Sequence, residues 1–172
     1  MAQVSRFWGG TLTGDCGPYS NDEFNYIFHS LMSDGQTNAA VAIKYLNELV
    51  VTGAGSPVSV GTGAALVSGI WYENDAAVNV TFANAAPNNS RIDTVVLRAS
   101  WALQTVRVQK LTGTETQGTP SQPALTQTLG VIWESPLAHL TINNAGLVSI
   151  LDARRFAQMA TMAKPIIAAM LF

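Results

Sequence analysis

Through the middle of this chain apolar and polar residues alternate with a period of two, as they do on strands that bury one face. The alternation is clean at Val78, Val80 and Phe82, and again at Val106, Val108 and Lys110. Enriched in β-branched residues, the pattern predicts strands over 58–60, 64–72, 77–82, 94–100 and 105–111. Shorter ones follow over 130–133, 137–142 and 147–151. The intervening stretches 53–57, 73–75, 85–90 and 143–146 are rich in Gly, Asn, Asp or Pro, the residues of tight connections. Such regular punctuation points to an antiparallel β-sandwich or a barrel-like domain. Residues 112–128 hold Gly113, Gly118, Pro120 and Pro123 with little apolar content, which predicts an extended surface loop of the kind that meets partners.

The period changes towards the ends. Residues 7–19 carry Gly9, Gly10, Gly14, Gly17 and Pro18, too many breaks for a regular element. Ser20 and Glu23 then form a capping box, and Phe24, Ile27, Phe28 and Leu31 make one apolar helical stripe that stops at Asp34 and Gly35. Residues 37–49 fit either a helix or a strand, with a strand favoured from Leu46 onward; a terminal helix is expected to open at 152–156. The expected organisation is a docking region over 1–45, a mainly β domain over 46–156 and a tail over 157–172, the last a short helix or apolar segment.

Composition narrows the function. Only 12% of the 172 residues are charged, against about 25% in an ordinary soluble domain, so the surface favours burial against partners. Nine Lys and Arg against eleven Asp and Glu give a net charge of −2 without a basic cluster, and nucleic acid is not an expected partner. Residues 1–8 lack the pattern of a secretory leader, which predicts synthesis in the cytoplasm. Cys16 is the single cysteine, so no intrachain disulfide forms and a thiolate zinc cluster is not expected. The apolar end from Ile166 to Phe172, preceded by Lys164 and Pro165, falls far short of a bilayer span. It predicts a docking tail rather than a membrane anchor.

Candidate chemistry is sparse. The only histidines, His29 and His139, stand outside any nucleophile signature, and Asp15, Cys16 and Asp22 match no metal-binding spacing; no cofactor is expected. Glycan hydrolysis would need two carboxylates about 5 to 9.5 Å apart, and the acidic residues are scattered through turns and the first helix. Arg91, Asp93 and Arg98 form either an inter-subunit ion pair or an internal one at strand ends, and Asp152 with Arg154 and Arg155 admits the same two readings. Among Trp71, Tyr72, Trp101 and Trp133 the alternation favours core positions, with Trp101 and Trp133 as candidate glycan-stacking residues should they be exposed. Ile166, Ile167, Met170, Leu171 and Phe172 must pack on their own domain or a neighbour, the neighbour being favoured.

Three stretches taken together, 58–72, 90–98 and 136–154, resemble a domain common in tail and baseplate proteins of bacteriophages. The first runs strand, glycine turn, strand and an aromatic end; the second is a polar turn leading into an apolar strand with Arg91 and Arg98 at its ends; the third closes on Asp152 and Arg154. The resemblance covers about 46–156 and implies a β-sandwich-like module that forms oligomers around a tail axis, with no catalytic residues to transfer. The Gly-rich start and capped helix are also similar to such proteins, whereas the apolar end has no counterpart there. The expectation is a non-enzymatic virion subunit, from the tail or baseplate, forming a trimer or ring with itself and binding other virion proteins. The alternatives are a receptor module for a host surface glycan and a capsid decoration or head fibre protein.

Overall fold

A computed structural model describes residues 39–157. The predicted N-terminal helix, Cys16, His29 and the apolar tail lie outside the described residues. Within them the chain forms eleven strands and no helix. These are β1 (Ala39–Val41), β2 (Val51–Thr52), β3 (Val58–Val60), β4 (Gly63–Val67), β5 (Ile70–Asn74), β6 (Val78–Val80), β7 (Ser90–Ser100), β8 (Thr105–Leu111), β9 (Gln127–Thr128), β10 (Ile132–Asn143) and β11 (Gly146–Asp152).

They make three antiparallel sheets, ordered β1-β4-β5, β2-β3-β6 and β11-β10-β7-β8, with β9 also paired to β10. One apolar cluster joins all three: Val41, Val67, Val58, Val80, Val95, Leu97, Leu137 and Leu140 belong to it. The class expected from the alternation, mainly β and antiparallel, is the class observed.

Several boundaries differ for physical reasons. The predicted strand over 64–72 is a hairpin, because Ser68 and Gly69 both take positive φ (50° and 79°) and close a two-residue turn between Val67 and Ile70. The apolar run masks this turn, since serine is not its usual residue. The segments predicted over 130–133 and 137–142 are one strand, β10, continuing through Pro136. Proline lacks the N–H of a central ladder, but β9 begins at Gln127 opposite Trp133 and β11 ends at Asp152 opposite Ala138, so Pro136 occupies the gap between them. A register shift follows immediately, between Pro136 and Ala138.

Two further expectations are corrected. The strand favoured from Leu46 starts at Val51, and β1, upstream of residue 46, already pairs with β4. No helix opens at Asp152: the Asp152 carboxylate accepts from the Arg154 amide at 3.0 Å, and the next backbone groups bond to Val41. The Val41 amide donates to Arg155 O at 2.7 Å and the Ala157 amide to Val41 O at 2.8 Å, a parallel bridge that covers the free side of β1.

The connection after β8 turns at a point of close approach, where a Cβ on Gly113 would lie 2.1 Å from the Ile92 carbonyl oxygen. Gly113→Ala is therefore expected to lower stability in urea denaturation by about 3 kcal/mol, as overpacking does. Gly118→Ala, whose nearest neighbour is 3.7 Å away, should change it by less than about 0.5 kcal/mol.

Candidate functional site

Five of the charged residues singled out in the sequence organise the described chain, in three separate clusters. Arg91 and Asp93 stand on the face of β7 that continues into Val95, Leu97 and Ala99, and both are buried. Arg91 Nε donates to Asp93 Oδ1 at 2.9 Å, Nη1 to Glu115 Oε1 at 2.9 Å and Nη2 to Ala83 O at 2.5 Å. Asp93 also accepts from the Gly113 amide at 3.0 Å and faces Lys110 Nζ at 3.8 Å. Burial works against the Arg91 charge, but its bonds to Asp93 and Glu115 prevail and raise its pKa. The Ala86 amide, followed by Asn89 and Arg91, holds the Glu115 carboxyl below its ordinary value against the opposing effect of burial.

Arg98 points to the other face and belongs to a separate cluster around Glu134, which is 0% exposed. Directly opposite it in the ladder, Glu134 Oε1 accepts from Arg98 Nε at 2.7 Å and also from its Nη2. Glu134 Oε2 accepts from the Thr126 amide at 2.6 Å, and the Glu134 and Thr126 backbones bond as well. Sequence reasoning missed Glu134; its signal was a lone carboxylate within the apolar run 131–140. Glu115 and Thr126 thus fix the two ends of the long connection at opposite ends of β7. Thr94 and Val96 are on the same face as Arg98, outside the core cluster, and are nonetheless fully buried. His139 lies on the same face with Nδ1 2.9 Å from Thr94 Oγ1, and burial lowers its pKa.

Asp152 and Arg154 form a third pair. The guanidinium bonds both carboxylate oxygens at 2.6 to 3.1 Å, which lowers the Asp152 pKa, and Arg154 Nη1 donates to Glu48 O at 2.8 Å. It also lies 5.0 Å from the Phe156 ring centroid, within cation–π range. Arg155 is exposed next to it. Arg91, Asp93, Arg98, Asp152 and Arg154 each have an ion-pair partner on their own chain.

The aromatic residues are distributed otherwise than the sequence suggested. Trp101 and Trp133, the candidate stacking residues, are half-buried and pack on the core cluster; Trp133 Nε1 is buried and has no hydrogen-bond partner among the described residues. Tyr72 packs there too, and burial raises its pKa. Trp71, for which a core position was favoured, is 51% exposed. Tyr45 meets it edge to face, with centroids 6.4 Å apart, and donates from its hydroxyl to Glu73 Oε1 at 2.5 Å, a bond that raises the Tyr45 pKa. Tyr45 sits in a segment where Lys44, Leu46, Glu48 and Leu49 all have φ between 52° and 57°, each costing about 1–2 kcal/mol in an ordinary residue.

Comparison with protein-family models, with curated proteins and with solved structures gives no match to this chain.

The buried pair makes two measurable statements. Arg91→Met leaves the Asp93 carboxylate buried without its main partner and is expected to cost about 3–5 kcal/mol in urea denaturation, against about 1 kcal/mol or less for Arg154→Met at a pair whose carboxylate is open to water. In acid, His139, Glu115 and Asp152 all have folded pKa values below their ordinary ones of 6.5, 4.5 and 3.8. Each contributes stability above its ordinary value that is lost as pH falls through the folded one. The denaturation midpoint should therefore decline below pH 6.5 and more steeply below 4.5, with a shallower acid limb in Glu115→Gln.

Proposed function

We propose that this chain is a non-enzymatic structural subunit of a bacteriophage virion, from the tail or baseplate, that assembles with its own copies and with neighbouring virion proteins. The observation that carries the reading is how polarity is divided. Arg91, Asp93, Arg98 and Glu134 fix connections inside the chain, while large apolar side chains face out at one end of the large sheet and along its edge strand.

Leu103 and Leu129 are 72% and 67% exposed on two turns at the same end of the large sheet, where the Trp101 amide bonds Val131 O at 3.2 Å. Val131 is exposed with them, and Val148 and Leu151 lie outward on the edge strand β11. Surfaces of this kind are costly in water and suit burial between subunits. The charge-poor composition agrees, as does the resemblance of 46–156 to a sandwich-like tail and baseplate module. In this reading the apolar residues Ile166, Ile167, Met170, Leu171 and Phe172 enter a neighbouring subunit, and closed cyclic symmetry, a trimer or ring, satisfies all copies alike.

Native mass across a concentration series tests the proposal. A stable trimer or ring is expected, dissociating when the chain is cut before Lys164 and weakened by Leu103→Ser with Leu129→Ser. Monomers of both the full and the shortened chain at every concentration would overturn it.

A further inference from the structure

We infer that Trp71, Tyr45 and Glu73 form a saccharide-binding platform that takes pyranose rings of a bacterial surface polysaccharide. That the sugar belongs to a bacterial surface polysaccharide rests on the virion reading above, whereas the platform itself rests on the geometry that follows.

Trp71 and Glu73 are two residues apart on β5, the free edge of its sheet, so they share one face. Both are exposed, and Trp71 pairs across the sheet with Leu66, which stands outside the core cluster. Tyr45 reaches this face from the 42–50 segment and adds a second ring wall inclined at 68° to the indole. Its hydroxyl occupies Glu73 Oε1, while Glu73 Oε2 carries no hydrogen bond from the described residues. The result is a half-exposed indole with a phenol and an open carboxylate oxygen at its border.

That combination selects a sugar over an apolar peptide. The C–H face of a pyranose is apolar and gains dispersion energy on an aromatic ring, while the hydroxyls around its rim need acceptors beside that ring. Glu73 supplies one and stays partly hydrated. An apolar protein surface would bury the same carboxylate without compensation, at a desolvation cost that aliphatic contacts do not offset.

The platform is also held ready. Lys44 N donates to Glu48 Oε1 at 2.6 Å, Asn47 Nδ2 to Thr62 Oγ1 at 2.9 Å, and the Asn47 and Leu49 amides both to Thr62 O at 3.0 and 3.1 Å. These bonds, with Arg154 on Glu48 O, maintain four left-handed residues around Tyr45 that an unconstrained loop would abandon. Strain kept at such a density is found where a side chain must be presented in one orientation, and a fixed platform loses little entropy on binding.

The test uses the full-length protein on an array of bacterial surface polysaccharides. Oligosaccharides from the retained polymer are then titrated by calorimetry. The wild type is expected to retain at least one polymer, and Trp71→Ala to weaken binding roughly tenfold or more, as loss of one stacked ring does. Glu73→Gln and Tyr45→Phe should each weaken it several-fold with an unchanged melting temperature, and Leu103→Ser should bind as the wild type. If Trp71→Ala fails to fold, the two polar variants decide, since each removes one exposed polar group only. A blank array for the wild type, or equal retention by the Trp71, Tyr45 and Glu73 variants, overturns the proposal. A blank array together with Trp71 becoming accessible to iodide only after deletion from Lys164 would assign the platform to the chain's own tail, and would likewise overturn it.

Discussion

Two opposite charges placed at the rim of an apolar core must find every partner they can accept, and the arrangement of this chain follows from that demand on Arg91 and Asp93. Removing each ion from water costs several kcal/mol, repaid only if the geometry is complete. Completing it recruits the carbonyl of Ala83, the amide of Gly113 and the carboxylate of Glu115, which in turn binds the Ala86 amide. One pair thereby fixes the approach to β7 and the departure from β8. Thr116 then bridges Ser90 with two backbone bonds of 2.8 and 2.9 Å, and the long connection begins in a set direction. Glu134 receives its far end by the same principle, a buried carboxylate satisfied by Arg98 and by the Thr126 amide.

A connection of this length without regular structure reads as loose when only its composition is known. Its prolines and glycines gave the extended surface path that is observed, but not the bonds that tie its two ends down. The residues that tie it down are Glu115, one acid among threonines, and Glu134, one acid inside a strand; neither belongs to a local motif. Their partners lie 24 and 36 residues away in sequence, so no local pattern connects them.

The alternating core was legible for a clear reason. Val78, Val80, Val106 and Val108 repeat at the period of a pleated strand, and nothing in their surroundings competes with it. Alternation identifies two faces, however, and leaves open which is covered. Trp101 and Trp133 fell on faces packed against the core, while Trp71 belongs to a strand whose outer face is open beyond Tyr45. The apolar run over 64–72 likewise concealed a turn, because Ser68 adopts a conformation that its type rarely signals. What remained invisible was tertiary: the pairing of Phe156 with Val41, more than a hundred residues apart.

That last pairing bears on how the chain would respond to being pulled. Val41 in β1 and Phe156 form an isolated parallel bridge, so residues 155–157 run beside β1 in the same direction. Tension entering at Ala39 and leaving at Ala157 pulls the two segments past each other lengthwise. The bonds from Val41 to Arg155 and from Ala157 to Val41 are then stretched together. Hydrogen bonds loaded at once resist far more than bonds opened in succession, and the grip of Arg154 on Glu48 O stands beside them. Residues 39–41 and 155–157 are therefore held side by side, so that pulling them apart lengthwise loads both bonds together.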